Sequence, residues 1–209
     1  AAARAAPIPV YAEMSSVNPV VLMPGRMDEA ANELAAAYVG SLSLGAGQFC
    51  TNPGIVLAVE GEATNRFIAT VGEALTGIPA QTMLTAGIQN AYAKGIATIG
   101  AQPGAVLVSS GAAGAGTCGQ AQVFTVSGAA FRANPVLSHE VFGPSSIIVV
   151  CADLDEVAAI LASMEGQLTA TLHMAAAALP QEPAAGSLMA IAPTISPLAS
   201  LGRYFAFCS

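Results

Sequence analysis

Residues 47–54 place one cysteine among small, turn-forming and amide residues. A cysteine attacks a substrate as its thiolate, and a glycine-rich turn can supply exposed backbone N–H groups that stabilise this anion. We therefore interpret Cys50 as a nucleophile. A lone cysteine is more often a small buried hydrophobic residue, so the neighbouring motifs must decide between the two interpretations.

Two glutamates lie in segments that could complete such a site. Glu13 opens the segment Glu-Met-Ser-Ser-Val-Asn-Pro, and Glu140 opens the segment Glu-Val-Phe-Gly-Pro. By position alone, each is most simply a solvated carboxylate in a loop next to a strand.

Together, residues 13–19, 47–50 and 140–144 resemble three motifs of the aldehyde dehydrogenase superfamily, in the order that the family has them. The first two are most similar to its α-ketoglutarate semialdehyde dehydrogenase branch. The resemblance covers residues 7–189 and implies the fold of that family's catalytic domain.

The resemblance also implies roles for four side chains. Cys50 is the catalytic nucleophile, and Glu13 is the general base that activates the deacylating water. Glu140 bonds the nicotinamide-side ribose hydroxyls of a dinucleotide, since a carboxylate is a natural acceptor for paired O–H donors. Phe142 packs beside that cofactor.

The implied reaction oxidises a small aldehyde to a carboxylic acid. The Cys50 thiolate adds to the carbonyl, the thiohemiacetal passes a hydride to NAD or NADP, and water activated by Glu13 releases the acid from the thioester. The backbone N–H of Cys50 helps to hold the oxyanion. In the family, a second donor comes from a part of the enzyme that precedes the Glu13 segment.

Composition narrows the classes of partner. The net charge is -7, with 54% hydrophobic and only 9% charged residues. Nucleic acids and anionic membranes are unsuitable partners, because an acidic protein is repelled by both. The longest apolar runs, such as residues 146–152, are far shorter than the roughly 20 residues of a membrane span. Four cysteines without disulfide or metal-ligand spacing favour a reducing cytoplasm.

Strand-like apolar runs alternate along the chain with helical periodicity. We expect strands at residues 55–59, 105–108, 122–126, 146–151, 168–173 and 187–191. Helical spacing follows an N-cap at Asp28, spans residues 62–75 and 85–99, and resumes after Asp153 with Glu156 at a capping-box position. This alternation predicts an α/β fold of three layers, with a mostly parallel sheet and helices on both faces.

Two further patterns carry little chemistry. Residues 114–119 spell GxGxxG, but a dinucleotide fingerprint must open a helix, and a strand-like run follows here instead. We interpret this segment as a loop between strands. His139 and His173 lack neighbours at metal-ligand spacing, so no metal site is predicted.

The chain begins just before the Glu13 segment, which the family's nucleotide-binding domain normally precedes. We therefore expect a single catalytic domain over residues 1–209, family-like over 1–189, with an unaligned tail at 190–209 and the nucleotide-binding domain absent. Such a chain binds no cofactor tightly by itself. Its high apolarity suggests that it forms a homo-oligomer or docks on a nucleotide-binding domain.

Two alternatives stay open. Cys50 with Glu13 could act as a cofactor-independent thiol esterase that turns over activated esters. The chain could also be a catalytically silent, truncated or engineered folding unit that keeps the motifs without a complete pocket.

Overall fold

The computed structural model describes residues 15–175 and the backbone of residues 207–208. The strands in this part of the chain are Val20–Leu22 (β1), Ile55–Val59 (β2), Gln81–Thr82 (β3), Val106–Ser110 (β4), Cys118–Gly119 (β5), Gln122–Ser127 (β6), Ser145–Cys151 (β7), Thr171–His173 (β8) and Phe207–Cys208 (β9). The α-helices are Pro24–Ser43 (α1), Glu62–Thr76 (α2), Ala86–Gly100 (α3), Gly128–Ala133 (α4) and Leu154–Ser163 (α5).

The main sheet has the strand order β4-β6-β7-β2-β1-β8-β9. Neighbouring strands are parallel except β4 and β6, which are antiparallel. The predicted mostly parallel sheet is therefore confirmed. Because β1, β2, β7 and β8 run in one direction, the segments that enter them lie at one end of the sheet, which we call the amino end. The opposite end is the carboxyl end.

The two faces of the sheet are buried against different helices. Along β2, Ile55 and Leu57 belong to a cluster that includes the apolar side of α5. The alternating residues Val56 and Ala58 belong to a second cluster with α1 and α2. Each of the four is at most 1% exposed, and burying a side chain of the size of valine, leucine or isoleucine stabilises the fold by about 1.5–3 kcal/mol. The predicted three layers are thus present.

Helix starts were predicted with mixed success. Helix α1 begins at Pro24 and not after an N-cap at Asp28, so that prediction was wrong. Proline suits a first helical position because it has no N–H to leave unpaired. Helix α5 starts as predicted: Asp153 Oδ1 accepts the N–H of Glu156 at 2.8 Å. Glu156 Oε2 in turn accepts the N–H of Ala152 at 2.8 Å.

Strand β8 is shorter than the sequence predicts. It begins at Thr171, because the backbone before it bonds to side chains and not to a neighbouring strand. The N–H of Leu168 donates to Ser16 Oγ at 2.9 Å, and the N–H of Thr169 donates to Asn18 Oδ1 at 3.2 Å. The strand predicted at residues 187–191 lies outside the described residues.

The GxGxxG segment does not open a helix. It leads through β5, which pairs with β3, directly into β6. The prediction of a loop between strands holds for residues 114–117, whereas Cys118 and Gly119 form β5 itself. No helix in residues 15–175 combines the length and apolarity that crossing a bilayer requires.

Candidate active site

The segments that contain the three motifs meet at the amino end of the sheet. Asn18 precedes β1, Cys50 precedes β2, and Glu140 precedes β7. Neighbouring parallel strands bring the segments that enter them side by side, so residues far apart in the chain become neighbours. Glu13 itself lies outside the described residues.

Cys50 lies in a tight turn. The N–H of Asn52 donates to the carbonyl of Phe49 at 3.0 Å, which closes a turn with Cys50 and Thr51 at its centre. Cys50 is exposed, which argues against a small buried hydrophobic residue. Within residues 15–175, the N–H groups of Cys50 and Thr51 have no hydrogen-bond acceptor. The turn therefore offers a reachable thiol beside free backbone donors.

Asn18 joins this turn to the segments before β1 and β8. Its Nδ2 donates to the carbonyls of Cys50 and Asn52, both at 2.9 Å. Its Oδ1 accepts from Ser16 Oγ at 2.8 Å, from Thr169 Oγ1 at 3.0 Å and from the Thr169 N–H at 3.2 Å. Asn18 is 3% exposed, so its amide forms these hydrogen bonds in the protein interior, shielded from solvent.

The cysteine turn also contacts the Glu140 segment. Asn52 Nδ2 donates to the carbonyl of Gly143 at 3.1 Å. Gly47 has a φ of 63°, and a Cβ at this position would overlap the backbone of Gly143 and Pro144. A glycine is required here for both reasons, because other residues rarely adopt a positive φ and none would leave room for this approach.

Glu140 is held next to the Glu13 segment. Its Oε2 accepts the N–H of Ser16 at 3.2 Å. Its Oε1 has no hydrogen-bond donor within residues 15–175. Glu140 lines an open cleft of about 620 Å³ together with Arg132 and His139. One carboxylate oxygen is thus used to orient the group, and the other is free to accept from a ligand.

Gln167 also bonds the segment that precedes β1. Its Oε1 accepts the N–H of Val17 at 2.7 Å and lies 3.2 Å from Ser16 Oγ, whose single proton is shared with the nearer Asn18 Oδ1. Reasoning from sequence missed both Gln167 and Asn18. The available signal was weak: a buried amide next to a motif can bond several backbone groups at once, but its partners are distant in sequence.

Two titratable groups with shifted pKa values, Cys151 and His173, lie at the carboxyl end of the sheet. Burial, with smaller contributions from the negative charges of Glu156 and Asp153, raises the pKa of the Cys151 thiol to about 12. Burial also lowers the pKa of His173, with a smaller contribution from Arg26. Among the described residues, no group of three or more His, Cys, Asp or Glu side chains is arranged to hold a metal ion.

Comparisons with known proteins agree with these motifs. The model of the aldehyde dehydrogenase family matches residues 1–177. Alpha-ketoglutaric semialdehyde dehydrogenase 2 of Azospirillum brasilense is 50% identical over 173 residues, which are 82% of this chain and 33% of that protein. Alpha-ketoglutaric semialdehyde dehydrogenase of Acinetobacter baylyi is 37% identical over 182 residues, which are 85% of this chain and 34% of that protein.

The chain therefore spans about a third of the length of the curated relatives it matches. Among solved structures, a succinic semialdehyde dehydrogenase from Streptococcus pyogenes in complex with NADP+ superposes with a TM-score of 0.63. That match covers 84% of this chain and 39% of the other at 17% identity, which shows a shared fold.

Proposed function

The chain belongs to the aldehyde dehydrogenase family, and we propose that it forms the part of an NAD(P)-dependent semialdehyde dehydrogenase that carries the catalytic cysteine. The observation that carries this proposal is the hydrogen-bonded junction at the amino end of the sheet. Asn18 and Asn52 connect the exposed Cys50 turn to the two other motif segments. Such a junction fits a site that must bring a nucleophile, a base and a cofactor contact to one reacting carbon.

Cys50 is the proposed nucleophile. Its Sγ bonds to the aldehyde carbon, and the carbonyl oxygen takes the negative charge. The N–H groups of Cys50 and Thr51 are the donors available to this oxyanion in the described residues. Loss of the hydride leaves a thioester on Sγ, and water then cleaves the thioester, releases the acid and restores the thiol.

Glu13 is the proposed general base for that water. This proposal stands on its place at the start of a matched motif, because its side chain lies outside the described residues. Supporting it, Ser16 of the same segment bonds Glu140 and, through Asn18, the Cys50 turn. A base in this segment would enter from the side of β1.

The residues near the cleft fit a dinucleotide. NAD or NADP, when bound, accepts the hydride from the substrate carbon. Glu140 presents a free Oε1 that can accept ribose hydroxyls, and Ser16 keeps its carboxylate oriented. Phe142 is 39% exposed and offers an apolar surface for packing. Both residues are therefore proposed cofactor contacts, and the NADP+ complex of the Streptococcus pyogenes enzyme supports this class of cofactor.

The proposed substrate is a small aldehyde with a carboxylate at its far end. The two curated relatives are both named for α-ketoglutaric semialdehyde, which supports this class. A cytoplasmic location stays a prediction.

Exposed apolar side chains surround the cysteine turn and support docking of further protein there. Leu44 is 62% exposed, Phe49 is 46% exposed and Leu84 is 80% exposed. Leu84 lies beside the segment that contains Phe49, since its N–H donates to Gln48 Oε1 at 2.9 Å, and Leu44 precedes that segment in the chain. We propose that this surface meets a nucleotide-binding domain or another copy of the chain.

Protection of Cys50 by substrate tests the proposed chemistry. The 209-residue chain is alkylated with iodoacetamide with and without α-ketoglutaric semialdehyde, and the modified cysteine is identified by mass spectrometry. The aldehyde should slow alkylation of Cys50 because the thiol adds to its carbonyl carbon, and the resulting thiohemiacetal does not react with iodoacetamide. The control ligand is α-ketoglutarate, whose terminal carboxylate cannot form this adduct. Equal rates with both ligands would contradict the proposal.

A cofactor-independent thiol esterase is the second candidate. It is favoured by one observation: the thiol and its free backbone donors are complete within the described residues, without any cofactor. An activated ester such as p-nitrophenyl acetate would then release p-nitrophenol repeatedly. Turnover that survives Cys50→Ala would exclude Cys50 as the nucleophile of this reaction.

A further inference from the structure

We propose that Asn18 is the positioning residue that sets the orientation of the Cys50 turn. The inference rests on the proposed function in one respect, that Cys50 is the nucleophile. It goes further by naming the side chain that determines where the peptide groups of the turn point. Asn18 acts through the turn and not by contact with the substrate.

The two polar atoms of the Asn18 amide bond different parts of the chain. The acceptor, Oδ1, accepts three hydrogen bonds from Ser16 and Thr169. The donor, Nδ2, donates its two N–H groups to the carbonyls of Cys50 and Asn52. With Oδ1 anchored by those donors, the amide cannot rotate without breaking them, so the two carbonyls have a fixed partner.

The backbone of Asn18 is adapted to this task. Its φ is 45°, in the left-handed region that asparagine tolerates better than most residues. Its side chain is thereby directed from the start of β1 toward the start of β2. Asparagine therefore meets two requirements here, the backbone conformation and the paired donor and acceptor groups.

The carbonyl orientation has a consequence for the nucleophile. In a trans peptide, the N–H of one residue points opposite to the carbonyl of the residue before it. The carbonyl of Cys50 points inward to buried Asn18, so the N–H of Thr51 points away from Asn18, toward the exposed side of the turn. Asn18 thus keeps this backbone donor on the side from which the thiol is reached.

The test replaces the donors and keeps the rest of the side chain. Asn18→Asp preserves size, the acceptor Oδ1 and tolerance of a positive φ, but it turns a carboxylate oxygen toward the two carbonyls. Negative charge beside the turn disfavours the thiolate, so alkylation of Cys50 by iodoacetamide near neutral pH should slow about tenfold. The pH at which this rate is half-maximal should rise by about one unit.

The matched control is the same substitution of asparagine by aspartate at Asn134, away from the Cys50 turn. Asn134 is also part-buried, with Nδ2 donating to Gln102 Oε1 at 2.9 Å and Oδ1 accepting the N–H of Val136 at 3.1 Å. Asn134→Asp should leave the rate and pH profile of Cys50 alkylation unchanged. If folded Asn18→Asp, verified by circular dichroism, has the parent's rate and profile, the proposal is wrong.

A second measurement needs no variant and decides the matter if Asn18→Asp fails to fold. In the parent chain, the Asn52 amide closes the turn, so its hydrogen exchange should be slowed at least about 100-fold relative to an unstructured peptide. Exchange at the unstructured rate would overturn the proposal, because the turn would not be held. Neither readout requires dehydrogenase activity, so failure here is distinct from failure of the proposed function.

Discussion

Cys50 at the amino end of the sheet and Cys151 at the carboxyl end differ in almost every physical respect. At the amino end, Cys50 lies in an exposed turn with free backbone donors. At the carboxyl end, Cys151 closes β7 and is 0% exposed, and its thiol has a pKa raised to about 12. The residue type is the same, so the backbone around it and its access to solvent decide whether it can react.

The location of the matched motifs also differs from a common arrangement in α/β proteins. In open parallel sheets, ligands usually bind beyond the carboxyl ends of the strands. Here the matched motifs precede β1, β2 and β7 and gather at the amino end. Buried polar atoms without partners among the described residues occur at both ends: Asn52 Oδ1 at the amino end, and His173 Nδ1 and Arg26 Nε at the carboxyl end. Topology alone would therefore point to the end opposite the one where the matched motifs lie.

Selective alkylation tests most directly whether Cys50 and Cys151 differ in reactivity. In the folded chain, iodoacetamide should modify Cys50 at least about 100 times faster than Cys151, because burial excludes the reagent and disfavours the thiolate of Cys151. Mass spectrometry of digested samples over time gives both rates. Cys50→Ser removes the fast reaction and serves as the control. Comparable rates for the two thiols would mean that the ends do not differ in reactivity.

A substitution at Gly47 should show how tightly the amino end is packed. Gly47→Ala should lower the free energy of unfolding by about 2–4 kcal/mol, because the new Cβ meets the backbone of Gly143 and Pro144 at a positive φ. Chemical denaturation measures this loss. The matched control is Gly40→Ala in α1, where a Cβ meets nothing within 4 Å and should stabilise by about 0.4–1 kcal/mol. Equal effects of the two substitutions would refute the close approach.

Alkaline pH should lower the free energy of unfolding through the Cys151 thiol at the carboxyl end. The Cys151 thiol has a folded-state pKa of about 12 against an ordinary value of 9.0, so it stabilises the fold fully below pH 9.0. As pH rises between these values, the unfolded chain has lost this proton and the folded chain has kept it. The free energy of unfolding should therefore fall by up to about 1.4 kcal/mol per pH unit.

Unfolding in urea at several pH values from about 8 to 10 measures this dependence. Tyr38 and Tyr92, whose pKa values burial also raises, contribute to the parent and to Cys151→Ala alike. The variant should therefore show a shallower decrease, even if its cavity lowers stability at every pH. Identical slopes for both proteins would contradict the burial of Cys151 as a proton-retaining thiol.

Much of the fold could be predicted because its signals are local. The apolar run at residues 55–59 and the helical spacing of residues 62–75 correspond to β2 and α2 nearly residue for residue. The cap at Asp153 was predicted because its partner lies three residues away. The start of β8 was not, since residues 168 and 169 bond to side chains about 150 positions earlier.

The candidate site divides in the same way. Residue types and motif order pointed to Cys50, Glu140 and Phe142, and their chemical roles remain predictions. The residues that hold the site together, Asn18 and Gln167, were missed. Each bonds partners from separate parts of the chain, and nothing in a linear sequence distinguishes such an amide from one in a loop.

The sequence by itself determined the family, the alternation of strands and helices, and the presence of a cysteine in a glycine-rich turn, because these depend on neighbours along the chain. Only the tertiary structure decided that the motifs gather at the amino end of the sheet, that Cys50 is exposed while Cys151 is buried, and that Asn18 joins residues 32 and 151 positions away. The physical reason is that parallel pairing fixes which distant segments become neighbours, and hydrogen bonds between them form only after that pairing has brought them together.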